Sequence, residues 1–203
     1  AHHFHNLDDF FHLISSLMNK DAYVVLEVPD CERGFASRDY NIIFEEHISY
    51  FTEITLKNII SLYRFDLVDF QVFPYPLEDA LIAIIKQSNR TNIILRLNSI
   101  RKEKDLFKIF CQDFPSVKSS ITSFFRYKSA KGSIVLFGAG HHGITFVNFM
   151  CISKYIDCFI DDLREKHNYL CPGSLLPVRG SDYFLNKKIS MCAVSVSQEN
   201  ESK

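Results

Sequence analysis

Phe10, Phe11, Ile14 and Leu17 fall on one face of a 3.6-residue repeat, so the spacing predicts a helix over Asp8–Met18 with Asp8 placed to cap it. Ala22–Val28 is a nearly unbroken apolar run closed by Pro29, the pattern of a strand buried on both faces of a parallel sheet. Helical spacing returns over Thr52–Tyr63 through Ile54, Leu56, Ile59, Ile60 and Tyr63, with Thr52 and Thr55 both able to cap. Phe65–Phe73 and Ala80–Lys86 read as two strands joined through a Pro74–Pro76 turn. The order helix, strand, helix, strand, strand predicts a mostly parallel sheet with an antiparallel hairpin at its edge.

From Asn98 to Arg126 the apolar positions Phe107, Phe110, Phe114, Val117, Ile121 and Phe124 alternate three and four apart, a helical seam interrupted by Pro115. Proline removes a backbone donor and crowds the preceding turn, so a kink is expected, or two helices meeting near Asp113–Pro115. A second α/β unit begins at Gly132. It reads as strand Ser133–Gly138, a helix from about His141 to Cys151, strand Ile156–Ile160, an irregular stretch through Pro177, a short helix near Ser181–Leu185 and strand Ile189–Val196. The fold class is α/β.

Composition narrows the function classes. At 203 residues and 47% hydrophobic the chain can bury a sizeable core, and its 23 Lys+Arg against 24 Asp+Glu remove the electrostatic case for nucleic acid or an anionic membrane. No apolar run approaches the ~20 residues that cross a bilayer, and a cytoplasmic protein is expected. Six cysteines contain no C-x-x-C pair, which points to reduced core thiols rather than a zinc ribbon or dithiol. His2, His3, His5 and His12 cluster near the start of the chain and could take up adventitious metal, but no Cys or carboxylate pattern completes a ligand set, so no metal site is expected. Nineteen Phe without Trp indicate a Phe-rich core.

Two segments have residue types that carry chemistry. Phe44-Glu45-Glu46-His47-Ile48-Ser49-Tyr50-Phe51 lies between a buried strand and a helix, where α/β sheets place ligands and catalysts. A His beside carboxylates is suited to general-base work, because a negative neighbour raises its pKa and an orienting hydrogen bond fixes its tautomer. The second segment, Ile134–Phe137 followed by Gly138-Ala139-Gly140-His141-His142-Gly143, is an apolar strand running into G-x-G-x-x-G. At a strand-to-helix turn such a loop aims backbone N–H groups at an anion such as a pyrophosphate. Asp161, closing the next strand with Asp162, stands where an acidic residue meets a ribose hydroxyl. Packing of a helix on its sheet would also use these glycines.

These segments resemble the C-terminal part of the S-adenosylmethionine-dependent sugar C-methyltransferases, class I methyltransferases with an additional C-terminal α/β domain. The resemblance runs in order through His5-Asn6-Leu7-Asp8-Asp9-Phe10, Leu26-Glu27-Val28-Pro29-Asp30, Glu46-His47-Ile48-Ser49-Tyr50-Phe51, Gly138–Gly143, Phe159-Ile160-Asp161-Asp162 and Pro172-Gly173-Ser174-Leu175-Leu176-Pro177. It implies a nucleotide-linked keto sugar, or a similar small molecule, held between the methyltransferase and C-terminal domains. A proton is removed beside the ketone and the enolate is methylated. Glu46 and His47 would be the catalytic pair, with His47 as base. Tyr50, Gly138, Gly140, His141, Gly143 and Asp161 would shape the substrate side.

The resemblance implies residues 1–90 as the C-terminal half of a class I (Rossmann-like) methyltransferase sheet, 91–127 as a helical connector and 128–203 as a small Rossmann-like domain binding nucleotide or substrate. Phe44 replaces a Tyr of the family, Leu77-Glu78-Asp79-Ala80 replaces a His-Gly-Gly-Ser stretch, and Asn168 stands where glycine is common, a swap Asn tolerates at positive φ. The family's zinc-binding segment, first glycine-rich loop and ribose-binding acid have no counterpart. The chain is therefore expected to be a fragment, a subunit completed by a separate N-terminal chain, or a homologue that has lost half of its catalytic domain. A non-catalytic nucleotide or nucleotide-sugar binding module is the alternative.

Overall fold

A computed structural model describes residues 1–195 except Glu45, Pro76, Leu77, 90–92, Ile94 and Arg96, and leaves the side chains of Leu97, Asn98 and Asn186 undescribed. The expectations at Glu45, at Pro76 and Leu77, and at Val196 fall outside the described residues. The chain divides into two compact units, Ala1–Gln112 and Asp113–Lys203. No helix among the described residues is long and apolar enough to cross a membrane.

Unit 1 is a three-stranded sheet with helices on one face. Helix α1 (Leu7–Leu17) begins at Asn6, whose side chain accepts from the Asp8 N–H, while Asp8 and Asp9 occupy the first turn and complement the helix dipole. The cap is thus Asn6, two residues before the expected Asp8. Strand β1 (Tyr23–Asp30) is followed by the short α2 (Glu32–Ser37), a 3-10 turn at Tyr40–Ile42, α3 (Glu53–Leu62), and strands β2 (Phe65–Phe73) and β3 (Asp79–Gln87). The strand order is β1-β3-β2 and every pairing is antiparallel.

That arrangement corrects two expectations. The sheet of this half is antiparallel throughout, and β1 is buried on one face only: Leu26 and Val28 are 6% and 0% exposed, whereas Tyr23 and Val25 are 60% and 63% exposed. An apolar run states that a strand can be buried, but not that something covers both faces. The covered face packs Leu26, Val28, Leu81, Ala83 and Ile85 against Phe11 of α1 and Leu56 and Ile60 of α3. Burying such side chains contributes roughly 1.5–3 kcal/mol each.

Helix α4 (Leu97–Ser129) runs unbroken through Pro115, so the two-helix alternative is replaced by one helix spanning the division between the units. Beside the proline, the Ser116 hydroxyl donates to the Asp113 carbonyl at 2.8 Å. In unit 1 the helix sets Phe107 and Phe110 against Phe35, and Tyr40 donates its hydroxyl to the Phe110 carbonyl at 2.8 Å.

Unit 2 is the parallel α/β unit the sequence predicts. Its strands are β4 (Ser133–Phe137), β5 (Cys158–Ile160), β6 (Val178–Arg179) and β7 (Ile189–Val194), with α5 (His141–Met150) between β4 and β5. The order is β6-β5-β4-β7, all parallel. Central β4 reads as a continuous apolar strand, with Ile134, Val135 and Leu136 at most 1% exposed. The expected short helix after Gly180 is a 3-10 helix over Ser181–Asn186, and Asn168 adopts φ 67° as expected for a glycine substitute.

Candidate functional site

The His47 segment is fixed at both ends. Phe51 bridges to Asp30 at the C-terminal end of β1, and its carbonyl accepts from the Cys31 N–H at 2.8 Å. Thr52 then opens α3 in a capping box: its hydroxyl accepts from the Thr55 N–H, and the Thr55 hydroxyl accepts from the Thr52 N–H at 2.7 Å. Within the loop the Tyr50 hydroxyl accepts from the Phe44 N–H and donates to the Phe44 carbonyl, both at 3.2 Å, and the His47 N–H donates to that same carbonyl at 3.0 Å.

This frame holds the His47 ring half-buried, 4.8 Å from the Phe44 ring and 6.2 Å from the Tyr50 ring. Glu46, its expected partner, is exposed, and its carbonyl lies 2.8 Å from His3 Nδ1. Two residues that the sequence leaves at the margin approach instead. The rings of His2 and His3 lie 4.7 and 5.1 Å from that of His47. Burial, then the proximity of His3 and His47, pushes the His2 imidazole down to about 4.

Tyr50 also lines a cavity of about 460 Å³, together with Phe35, Thr52, Thr55, Glu103 and Phe107. Its lining is mainly apolar, and the Oε2 of Glu103 is buried there without a hydrogen-bond partner. Burial, then the charges of Glu103 and Glu53, raises the Glu32 carboxyl. Nothing in the spacing of α4 marks Glu103 as a cavity residue; only the packing of α4 on Phe35 places it there.

In unit 2 the three glycines of the loop have three different roles. Gly138 turns the chain after β4 at φ 99°, a conformation an L-residue rarely adopts. Gly140 is the N-cap of α5 in extended conformation, no side chain caps the helix, and a Cβ there would meet nothing within 4 Å. A Cβ on Gly143 would meet the Gly138 carbonyl oxygen and Leu136 Cδ2, each at 2.9 Å, so this glycine lets α5 lie close on β4. The turn, the open approach and the close packing are the three demands a phosphate-binding loop makes on its glycines.

Asp161 follows β5 and is 8% exposed. Its Oδ2 accepts from the Ala139 N–H and pairs with Lys166 Nζ, both at 2.9 Å, and its Oδ1 accepts from the Leu163 N–H at 3.0 Å. Burial raises the carboxyl, but Lys166 and the two amides outweigh it and hold it below the usual carboxylate range. The side chain clamps the glycine loop, so its oxygens are engaged by protein. Lys166 also donates to the Ala139 carbonyl at 3.2 Å, and His167 Nε2 is 2.7 Å from the Asp161 carbonyl. His141 directs its Nε2 to Thr145 Oγ1, 3.2 Å away along α5. The irregular stretch that carries Lys166 and His167 has no periodic signal from which their roles could be read.

A family comparison matches the C-methyltransferase C-terminal domain over residues 96–194. Those residues are similar to that family. The match takes in all of α4, the glycine loop, Asp161 and β4–β7. A comparison with curated proteins finds no match. The matched residues carry the parallel sheet and glycine loop just described, and the His47 segment lies upstream of them in the same chain.

Proposed function

We propose that this chain is the acceptor-handling part of an S-adenosylmethionine-dependent C-methyltransferase whose substrate is a nucleotide-linked keto sugar or a similar small carbon acid. One observation carries the reading: His47 is held half-buried in a loop braced at both ends, beside a residue lining a 460 Å³ cavity, in the same chain as a C-methyltransferase C-terminal domain. A neutral imidazole there can take the proton from the carbon beside a ketone and leave an enolate. Glu103 Oε2, buried without a partner, is an acceptor for a substrate hydroxyl. Phe44 offers no hydroxyl to the enolate, and the Tyr50 hydroxyl is tied to the Phe44 backbone. Glu46 can assist only from the solvent side.

S-adenosylmethionine, when bound, supplies an electrophilic methyl group. The residues described here do not fit it: the one glycine of unit 1, Gly34, sits in α2 where a Cβ would meet Ile42 at 2.5 Å, so it serves packing rather than a ligand cradle. A preceding segment or a separate N-terminal chain would hold the cofactor. The exposed outer face of β1, with Tyr23 and Val25 more than half exposed, supports such an addition. Near-neutral charge favours a small-molecule partner over nucleic acid or membrane, and six free thiols favour a reducing, cytoplasmic setting.

The Gly138–Gly143 loop favours a second reading, a non-catalytic nucleotide or nucleotide-sugar binding module. Its open Gly140 and uncapped α5 suit a diphosphate. One experiment separates the two. Deuterium uptake beside the ketone of a nucleotide-linked keto sugar, followed by NMR in D2O with the metal-free protein, needs no methyl donor. Uptake that His47→Ala abolishes supports the base; binding without uptake leaves only the module.

A further inference from the structure

The start of the chain is tied to the His47 loop. The N–H groups of Ile48 and Ser49 both donate to the His2 carbonyl, at 2.9 and 3.2 Å. Three imidazoles meet as a result, His2 and His3 with ring centroids 4.1 Å apart and His47 against both. One ring nitrogen of each lies within 4.8 Å of the other two.

Two further features are those of metal ligands. His3 Nδ1 faces the Glu46 carbonyl at 2.8 Å, so it carries the proton and Nε2 keeps its lone pair, the outer-shell arrangement that orients ligating histidines. His2 Nδ1 is buried and has no hydrogen-bond partner, although buried polar atoms are almost always paired. A cation taking that lone pair would satisfy it. Nitrogens around a tetrahedral zinc stand about 3.3 Å apart, given bonds of about 2.0–2.1 Å. The three imidazoles would draw together to reach such an ion.

We propose that His2, His3 and His47 bind one divalent late first-row cation of the zinc class. Three neutral imidazoles without a carboxylate select zinc, cobalt, nickel or copper over magnesium or calcium. Three protein ligands leave a fourth position to water. The ion would occupy a lone pair of the ring proposed as the base, and so oppose proton abstraction.

The test is titration of the full chain, free of any added histidine tag, with Zn²⁺ by calorimetry and with Co²⁺ by visible absorption. One Zn²⁺ per chain at micromolar Kd is expected, with tetrahedral Co²⁺ bands that Zn²⁺ removes. His2→Ala and His3→Ala should each weaken binding at least about tenfold, while His12→Ala, in α1, should not. Binding weaker than about 100 μM, or equal binding by the His2→Ala/His3→Ala double variant, overturns the site; the latter would assign the ion elsewhere, for example to the free thiols. Circular dichroism checks that the variants fold, and His3→Ala, at an exposed position, keeps the test decisive should His47→Ala unfold. Metal binding and metal-free deuterium uptake are separate readouts, so either proposal can fail alone.

Discussion

The Asp161 carboxylate accepts a hydrogen bond from the Ala139 N–H, 2.9 Å away and 22 residues earlier in the chain. That bond joins the end of β5 to the middle of the glycine loop after β4. Lys166 bridges the same carboxylate and the Ala139 carbonyl, so the loop is held before any ligand arrives.

The pH dependence of stability should report this clamp. The Asp161 carboxyl is lowered in the folded protein, so its contribution is present above the unfolded value of about 3.9 and lost as pH falls from there through the folded value. Asp161→Asn should cost about 1–3 kcal/mol at neutral pH. The difference in denaturant midpoint between parent and variant should narrow below about pH 4. A gap that persists under acid would show that the variant acts through packing.

The glycines of the loop should respond in opposite ways. Gly140→Ala places its methyl in open space at φ −102°, and the gain from a less flexible unfolded chain is offset by the poorer N-cap, so stability should change by less than about 1 kcal/mol, while affinity for a nucleoside diphosphate falls at least about tenfold. Gly143→Ala drives a methyl onto the Gly138 carbonyl and Leu136 and should cost about 1–3 kcal/mol. Thermal melts beside calorimetric titrations distinguish them. Unchanged nucleotide affinity in Gly140→Ala would return the loop to a purely packing role.

Thr52→Ala removes one half of the capping box that starts α3 and anchors the His47 loop. A loss of about 0.5–2 kcal/mol is expected, or about 2–4 °C in Tm per kcal/mol for a chain of this size. Thr52→Ser keeps the acceptor and should lose less. Equal melts for the two variants would mean that the methyl, not the hydroxyl, matters.

His47→Ala should lower deuterium uptake from the keto sugar by about 10²–10⁴-fold, with substrate affinity nearly intact. Equal rates would leave His47 a structural or metal-binding residue.

The chain as described should bind S-adenosylmethionine no more tightly than about millimolar, because unit 1 has no glycine cradle. A micromolar calorimetric isotherm would place a cofactor site among residues read here as packing.

Local pattern sufficed for several parts of the molecule. Thr52 and Thr55 are short-range capping residues, the hairpin of β2 and β3 follows from two apolar runs about a turn, and the strand–glycine–helix order of β4 and α5 is carried by contiguous residues. Each depends on neighbours a few positions apart, which a sequence states directly. What the sequence did not contain was direction and company. Ala22–Val28 announces burial, yet strand direction depends on which distant strand supplies hydrogen bonds, and β3 supplies them antiparallel. Pro115 signals a break that the surrounding seam of α4 overrides. Asp161 reads as an acid placed to meet a ribose hydroxyl, and only the fold shows that Ala139 and Lys166 also come to it. His2 and His3 read as part of a histidine cluster with no completed ligand set until two amides of the His47 loop bind the His2 carbonyl and gather three imidazoles. The sequence by itself determined the elements and the residue types that carry chemistry. Tertiary structure alone decided which of those residues meet, because contacts between distant segments depend on packing and backbone pairing that no local spacing encodes.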